Sequence, residues 1–144
     1  MRADYINENS ASSFGWKNKV QYVGAAITLT NDDSGKVFMC ESSGGAFSIT
    51  LPTAATGEDG CNFKFIVEEE TPTNDITIAA GSAIISFVMK DAGGNASNST
   101  AGTQVSNIVI GTSAQKGDVI ELMFTAGEYV GWALSSIDDA LTTS

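Results

Sequence analysis

From about Ala25 onward the apolar residues of this chain recur with a period of two, and that spacing restricts its fold more than any other feature. In "AFSITLP", Phe47, Ile49 and Leu51 face one way while Ser48 and Thr50 face the other. In "CNFKFIVEE", Phe63, Phe65 and Val67 alternate with Asn62, Lys64 and Glu68. In "VIELMF", Ile120, Leu122 and Phe124 form one face with Glu121 opposite. In "EYVGWALSS" the same reading groups Val130, Trp132 and Leu134, which places Trp132 in the core rather than on the surface as a sugar platform. Further candidate strands are Ala26–Thr30, Lys36–Glu41, Asp75–Ala79, Ala83–Lys90 and Gln104–Gly111. About nine short strands result, rich in β-branched and aromatic residues, and no stretch sustains a helical period with caps.

The punctuation agrees. "NDDSGK" (31–36), "SSGG" (42–45), "TAATGEDG" (53–60), "TPTND" (71–75) and "AGE" (126–128) are turn chemistry between apolar runs. Strands with one apolar face must pair those faces, so the expected fold is all-β: a single antiparallel β-sandwich or jelly roll of eight to nine short strands. Pro52 lacks a ladder donor and ends its strand, which makes "ITLPTAATG" a structural corner. "AIISFVMK" is apolar on both sides, Ile85, Phe87 and Met89 against Ile84 and Val88, so it needs cover twice, within the domain or from a partner. Residues 21–136 form the expected sandwich, with an extended arm at 1–20 and a short tail at 137–144. "DAGGNASNSTAGT" (91–103) reads as a flexible polar loop whose two glycosylation-pattern matches are part of a linker. No internal repeat announces a propeller or a solenoid.

Chemistry is scarce. The 144 residues include no histidine, which removes the commonest general base and transition-metal ligand, and two cysteines alone make no structural zinc site. No G-x-S-x-G or phosphate-binding loop is present. Neighbouring residues of a strand point to opposite faces, so Glu68, Glu69 and Glu70 are not a convergent acid pair. These acids and Asp138–Asp139 could hold calcium, and paired carboxylates could cleave a glycoside, but neither role is the expected one, and Asp32–Asp33 belongs to a turn. No enzyme, cofactor or metal is expected. With 17 acids against 7 bases the net charge is −10, a field that repels nucleic acid. No apolar stretch reaches the roughly 18–20 residues that cross a bilayer, and the polar Met1–Ser10 is no signal peptide, so no membrane partner is expected. Cys40 and Cys61 leave two alternatives, a bridge contributing roughly 3 kcal/mol or two buried thiols; without an export signal, thiols are expected.

Residues 1–20 lack alternation yet hold Tyr5, Phe14 and Trp16 beside Lys17 and Lys19. Aromatics flanked by cations are interface anchors, so these five residues are the candidate partner contact; the bland alternative is an arm folded back over its own sandwich.

"SGKVF" (34–38), "ITLPTAATG" (49–57), "FKFIV" (63–67), "ITIAAG" (76–81), "GDVIELMF" (117–124) and "YVGWAL" (129–134) occur in an order that resembles a β-sandwich module of tailed-bacteriophage virion proteins, over residues 24–135. That module occurs in capsid decoration (cement) proteins and in domains of head and tail fibres. The resemblance implies a homotrimer seated on the outer capsid surface of a virion, made in the host cytoplasm, with the major capsid protein as partner and no catalytic residues. The chain lacks a coiled-coil shaft and a repeated fibre stretch, which favours decoration over a receptor- or carbohydrate-binding fibre tip.

Overall fold

The alternating segments become twelve strands in a computed structural model that describes residues 17–81, 83, 85–93, 96–98 and 105–144. They are β1 (Val20–Val23), β2 (Ile27–Thr28), β3 (Val37–Cys40), β4 (Phe47–Thr50), β5 (Asn62–Val67) and β6 (Ile76–Ala79). The second half supplies β7 (Ile85–Lys90), β8 (Ala96–Asn98), β9 (Asn107–Ile110), β10 (Val119–Thr125), β11 (Glu128–Leu134) and β12 (Leu141–Thr143). Seven form one sheet in the order β1-β3-β5-β10-β11-β7-β8, and five form a second in the order β12-β9-β6-β4-β2.

The first six strands alternate between the sheets, so the chain winds through three circuits and lays one strand in each sheet per circuit. Strands of the same sheet then run the same way: β1, β3 and β5 pair in parallel, as do β2, β4 and β6. A parallel pair needs a crossover, and here the strand of the opposite sheet supplies it. The expected all-antiparallel pairing is therefore corrected: β7 also runs parallel to β11, and among the described residues only the ladders β5–β10, β10–β11, β6–β9, β9–β12 and β7–β8 are antiparallel.

Register lines the inner faces with continuous apolar rows. In the smaller sheet Ile27, Ile49, Ile78 and Ile108 are cross-strand neighbours, and Phe47, Ile76, Ile110 and Leu141 form the next row. In the larger sheet Phe38, Phe65, Ile120, Ala133 and Met89 run side by side, with the Phe38 and Phe65 rings stacked at 5.4 Å. Both inner faces belong to one buried cluster, a two-layer core. Leu141 completes the second row, which is why residues read as a tail dock instead as β12. Val20, counted with the arm, begins β1, and Ala96–Asn98 of the expected loop pairs with Val88–Lys90 as a short edge strand.

The corner after β4 joins the layers. Pro52 is buried and its carbonyl accepts the Tyr129 hydroxyl at 2.7 Å. Gly57 lies against the Phe124 ring, and a Cβ there would meet ring carbons at 2.5 Å. Phe124 in turn meets Tyr129 edge-on, centroids 5.0 Å apart.

Sequence and structure part at β11. Ala126 and Gly127 occupy the two loop positions between β10 and β11 with φ of 52° and 86°, the geometry of a two-residue hairpin turn. That loop pairs Phe124 with Tyr129 and Glu121 with Trp132. Residues directly opposite share a face, so Tyr129 and Ala133 enter the core while Val130, Trp132 and Leu134 point outward. Trp132 is not a core residue. Its neighbour Gly131 lets β10 approach closely, since a Cβ there would stand 1.9 Å from the Glu121 carbonyl oxygen. Gly131→Ala is expected to destabilise the fold by about 1–3 kcal/mol, because backbone cannot move aside as a side chain can. Ala126→Asn is expected to stabilise it by about 0.5–1 kcal/mol through relief of the positive φ. Urea unfolding midpoints check both signs.

Candidate functional site

With Val130, Trp132 and Leu134 outside, the outer face of the seven-stranded sheet becomes largely apolar. One row runs Tyr22, Met39, Ile66, Val119, Leu134 and Lys90 across six strands. The adjacent row runs Val20, Val37, Lys64, Glu121, Trp132 and Val88, and a third holds Asn62, Met123, Val130 and Ser86. Tyr22 is 72% exposed, Val88 56% and Trp132 38%, with Val20, Met123 and Leu134 also open. Scattered apolar residues on a surface need no explanation, but contiguous rows of this extent do. The outer face of the smaller sheet differs: Ser48, Thr77 and Thr142 flank Val109, and Thr28, Thr50 and Asn107 flank Ala79, so small and polar residues predominate there.

An open hollow of about 380 Å³ lies on the apolar face, lined by Asn62, Glu121, Met123, Val130, Gly131 and Trp132. Lys64 and Glu121 form an ion pair at 3.6 Å near the middle of the sheet. Both ends are well exposed, so in the isolated chain the pair contributes roughly 0–1 kcal/mol. Within these rows Lys64 and Lys90 are balanced by Glu121 and by Glu128, which begins β11.

The other candidate groups are engaged in structure. Beyond the end of β5, Glu68 and Glu70 both approach Lys116, at 3.8 and 3.9 Å, while Glu69 accepts Ser42 N–H at 2.9 Å. Buried Asp118 accepts four hydrogen bonds, from Gln115 N, Ser135 Oγ, Ser136 N and Ser136 Oγ at 2.8–3.0 Å, and ties two loops together. Asp33 caps its own turn by accepting Thr30 N–H. The fold brings Asp91 to Asp138 and Asp139, with carboxylate oxygens within 4.8 Å of one another. Their separation of more than forty residues hid that grouping from a sequence reading.

Cys40 and Cys61 are free thiols. Burial pushes the Cys40 thiol up to about 12 from its ordinary 9.0. Its contribution to stability is complete below pH 9 and is lost as pH rises toward 12, because only the unfolded chain releases that proton. Burial likewise raises the Tyr129 phenol, with a smaller contribution from Cys61.

Of the anticipated partner contacts, Lys17 and Lys19 are exposed at the approach to β1, and the Lys19 carbonyl accepts Val37 N–H at 2.9 Å. Tyr5, Phe14 and Trp16 lie outside the described residues. Among the described residues no helix is long and apolar enough to cross a membrane. No protein-family model matches this chain, and no curated protein matches its sequence.

In the native protein at pH 8, the half-buried Cys61 is expected to react with a thiol reagent ahead of the buried Cys40. Denatured, non-reduced protein is expected to titrate two thiols, and zero would mean a disulfide.

Proposed function

We propose that this chain is a structural protein of a bacteriophage virion: a decoration protein that binds the outside of the assembled head through the major capsid protein, as a homotrimer. The observation that carries the reading is the outer face of the seven-stranded sheet, broad, apolar and charge-balanced on a strongly acidic chain. Such a face suits protein contact better than turnover of a small molecule. The sequence resemblance adds the virion. Its six segments lie in or beside β3, β4, β5, β6, β10 and β11, so it concerns the framework and not a pocket. Jelly-roll kinship is part of the proposal and rests on that resemblance; the parallel winding of β1 to β6 is a departure from it.

In this reading the head contact belongs to the segment that precedes β1, where Tyr5, Phe14 and Trp16 supply apolar anchors and Lys17 and Lys19 pair with capsid acids. A trimer engages a shell at several points together, so weak single contacts add to firm attachment.

One observation favours a second reading, a receptor- or carbohydrate-binding fibre module. Trp132 stands open and lines one hollow with Asn62 and Glu121, so an aromatic side chain and polar groups share it. The other open aromatic on this face, Tyr22, lies four strand spacings away, roughly 19 Å, too far to share one sugar ring with it.

Co-sedimentation with undecorated heads separates the readings. Deletion of residues 1–19 is expected to leave a folded protein that no longer pellets with heads. Wild-type occupancy by the truncated protein would place the contact on the two-sheet body. Glycan binding abolished by Trp132→Ala, without any head binding, would support the second reading.

A further inference from the structure

The outer face of the seven-stranded sheet has properties that identify what covers it. Its extent is one. Val20, Tyr22, Val88, Met123, Trp132 and Leu134 are open, and half-buried Met39, Ile66, Val119 and Val130 fill the space between them. Together they expose roughly 600 Å² of apolar surface, the upper end of what a monomer leaves open. With the polar residues among them, the face approaches the roughly 800 Å² per partner of a stable protein interface.

Charge is the second property. A partner that is itself this chain brings a net charge of −10, so two copies repel wherever their acidic surfaces meet. This face escapes that cost, since Lys64 and Lys90 offset Glu121 and Glu128. The arrangement is also self-complementary. Lys64 and Glu121 are cross-strand partners on β5 and β10, with apolar residues on both flanks: Val20, Tyr22, Val37 and Met39 on β1 and β3, Trp132, Leu134 and Val88 on β11 and β7. A second copy turned to face the first can set its Glu121 toward Lys64 and its Lys64 toward Glu121, with apolar flank on apolar flank. An isologous contact requires such self-complementarity, and an unrelated partner does not.

From these properties we infer that this face is where copies of the chain meet, with Trp132, Leu134 and Tyr22 as apolar anchors and reciprocal Lys64–Glu121 pairs setting the register. Val88, open among the described residues, is thereby covered. The inference rests on reading the face as a protein contact and does not depend on the head; the contact is isologous and closes between two copies, so a threefold contact is a separate interface.

Charge exchange in the full chain tests it, with sedimentation equilibrium as the readout. The wild-type protein is expected to self-associate. Lys64→Glu alone, which sets acid against acid, and Glu121→Lys alone, which sets base against base, are each expected to weaken association at least about tenfold. An equimolar mixture of the two variants is expected to associate again, because acidic copies then face basic ones. Unchanged melting curves show that the variants fold, and Leu134→Asp, at an exposed position, is expected to yield a folded monomer. A wild-type monomer at every concentration overturns the inference. So does association that neither the charge variants nor Leu134→Asp disturb. A wild-type monomer that associates only after removal of residues 1–16 would give the face to that segment and also overturns it. A monomer that still pellets with heads would leave the virion reading standing without this interface, and self-association without head binding would do the reverse.

Discussion

Ala126 and Gly127, both with positive φ, close β10 onto β11 with only two residues between the paired ends. A two-residue loop leaves one register, and in a sheet the register decides the face of every side chain. Phe124 and Tyr129 are thereby locked together in the core, where the Tyr129 hydroxyl reaches the Pro52 carbonyl and holds the larger sheet to the corner that follows β4. The same register sends Trp132 and Leu134 outward. A slip of one residue would bury the tryptophan, expel Tyr129 from its hydrogen bond and remove the apolar surface on which the functional reading depends.

That dependence explains which parts of the fold were legible. Alternation placed β4, β5, β6 and β10, where a wholly apolar buried side stands against Ser48 and Thr50, Asn62 and Lys64, Thr77, or Glu121. β11 has two apolar sides, and choosing the bulkier set put Trp132 in the wrong layer. The correct answer was nonetheless available: Glu121 belongs outside, "AGE" marks a tight turn, and a two-residue loop sets Glu121 opposite Trp132. Pairing across a turn outranks bulk when both faces are apolar.

The winding of the first six strands was not legible. Val37 lies 17 residues after its neighbour Val20, and Lys64 lies 27 after Val37, so successive circuits share no sequence period. What they share is the demand that each strand hide one face. The chain meets it by crossing to the opposite layer after each strand, and the isoleucines at 27, 49, 78 and 108 align as a result. The edge strands were missed for a related reason. β8 and β12 are three residues long, too short for a period to show, Leu141 is drawn in by the row it completes, and β1 is apolar on both sides, with Val20 and Tyr22 outward and Val23 inward. The surface charge pattern was equally hidden: −10 is a property of the whole chain, while the balance around Lys64 and Glu121 exists only after β5 and β10 pair.

The central claim is that Trp132 is open in a single chain and covered when copies meet. Its fluorescence can be isolated by Trp16→Phe, because the chain has two tryptophans. In dilute solution the account predicts long-wavelength emission that a neutral quencher readily reduces, moving to shorter wavelength with loss of quenching as concentration rises. Short-wavelength emission shielded from the quencher at every concentration would place Trp132 in the core, and emission that stays open throughout would leave the face uncovered; either contradicts the account.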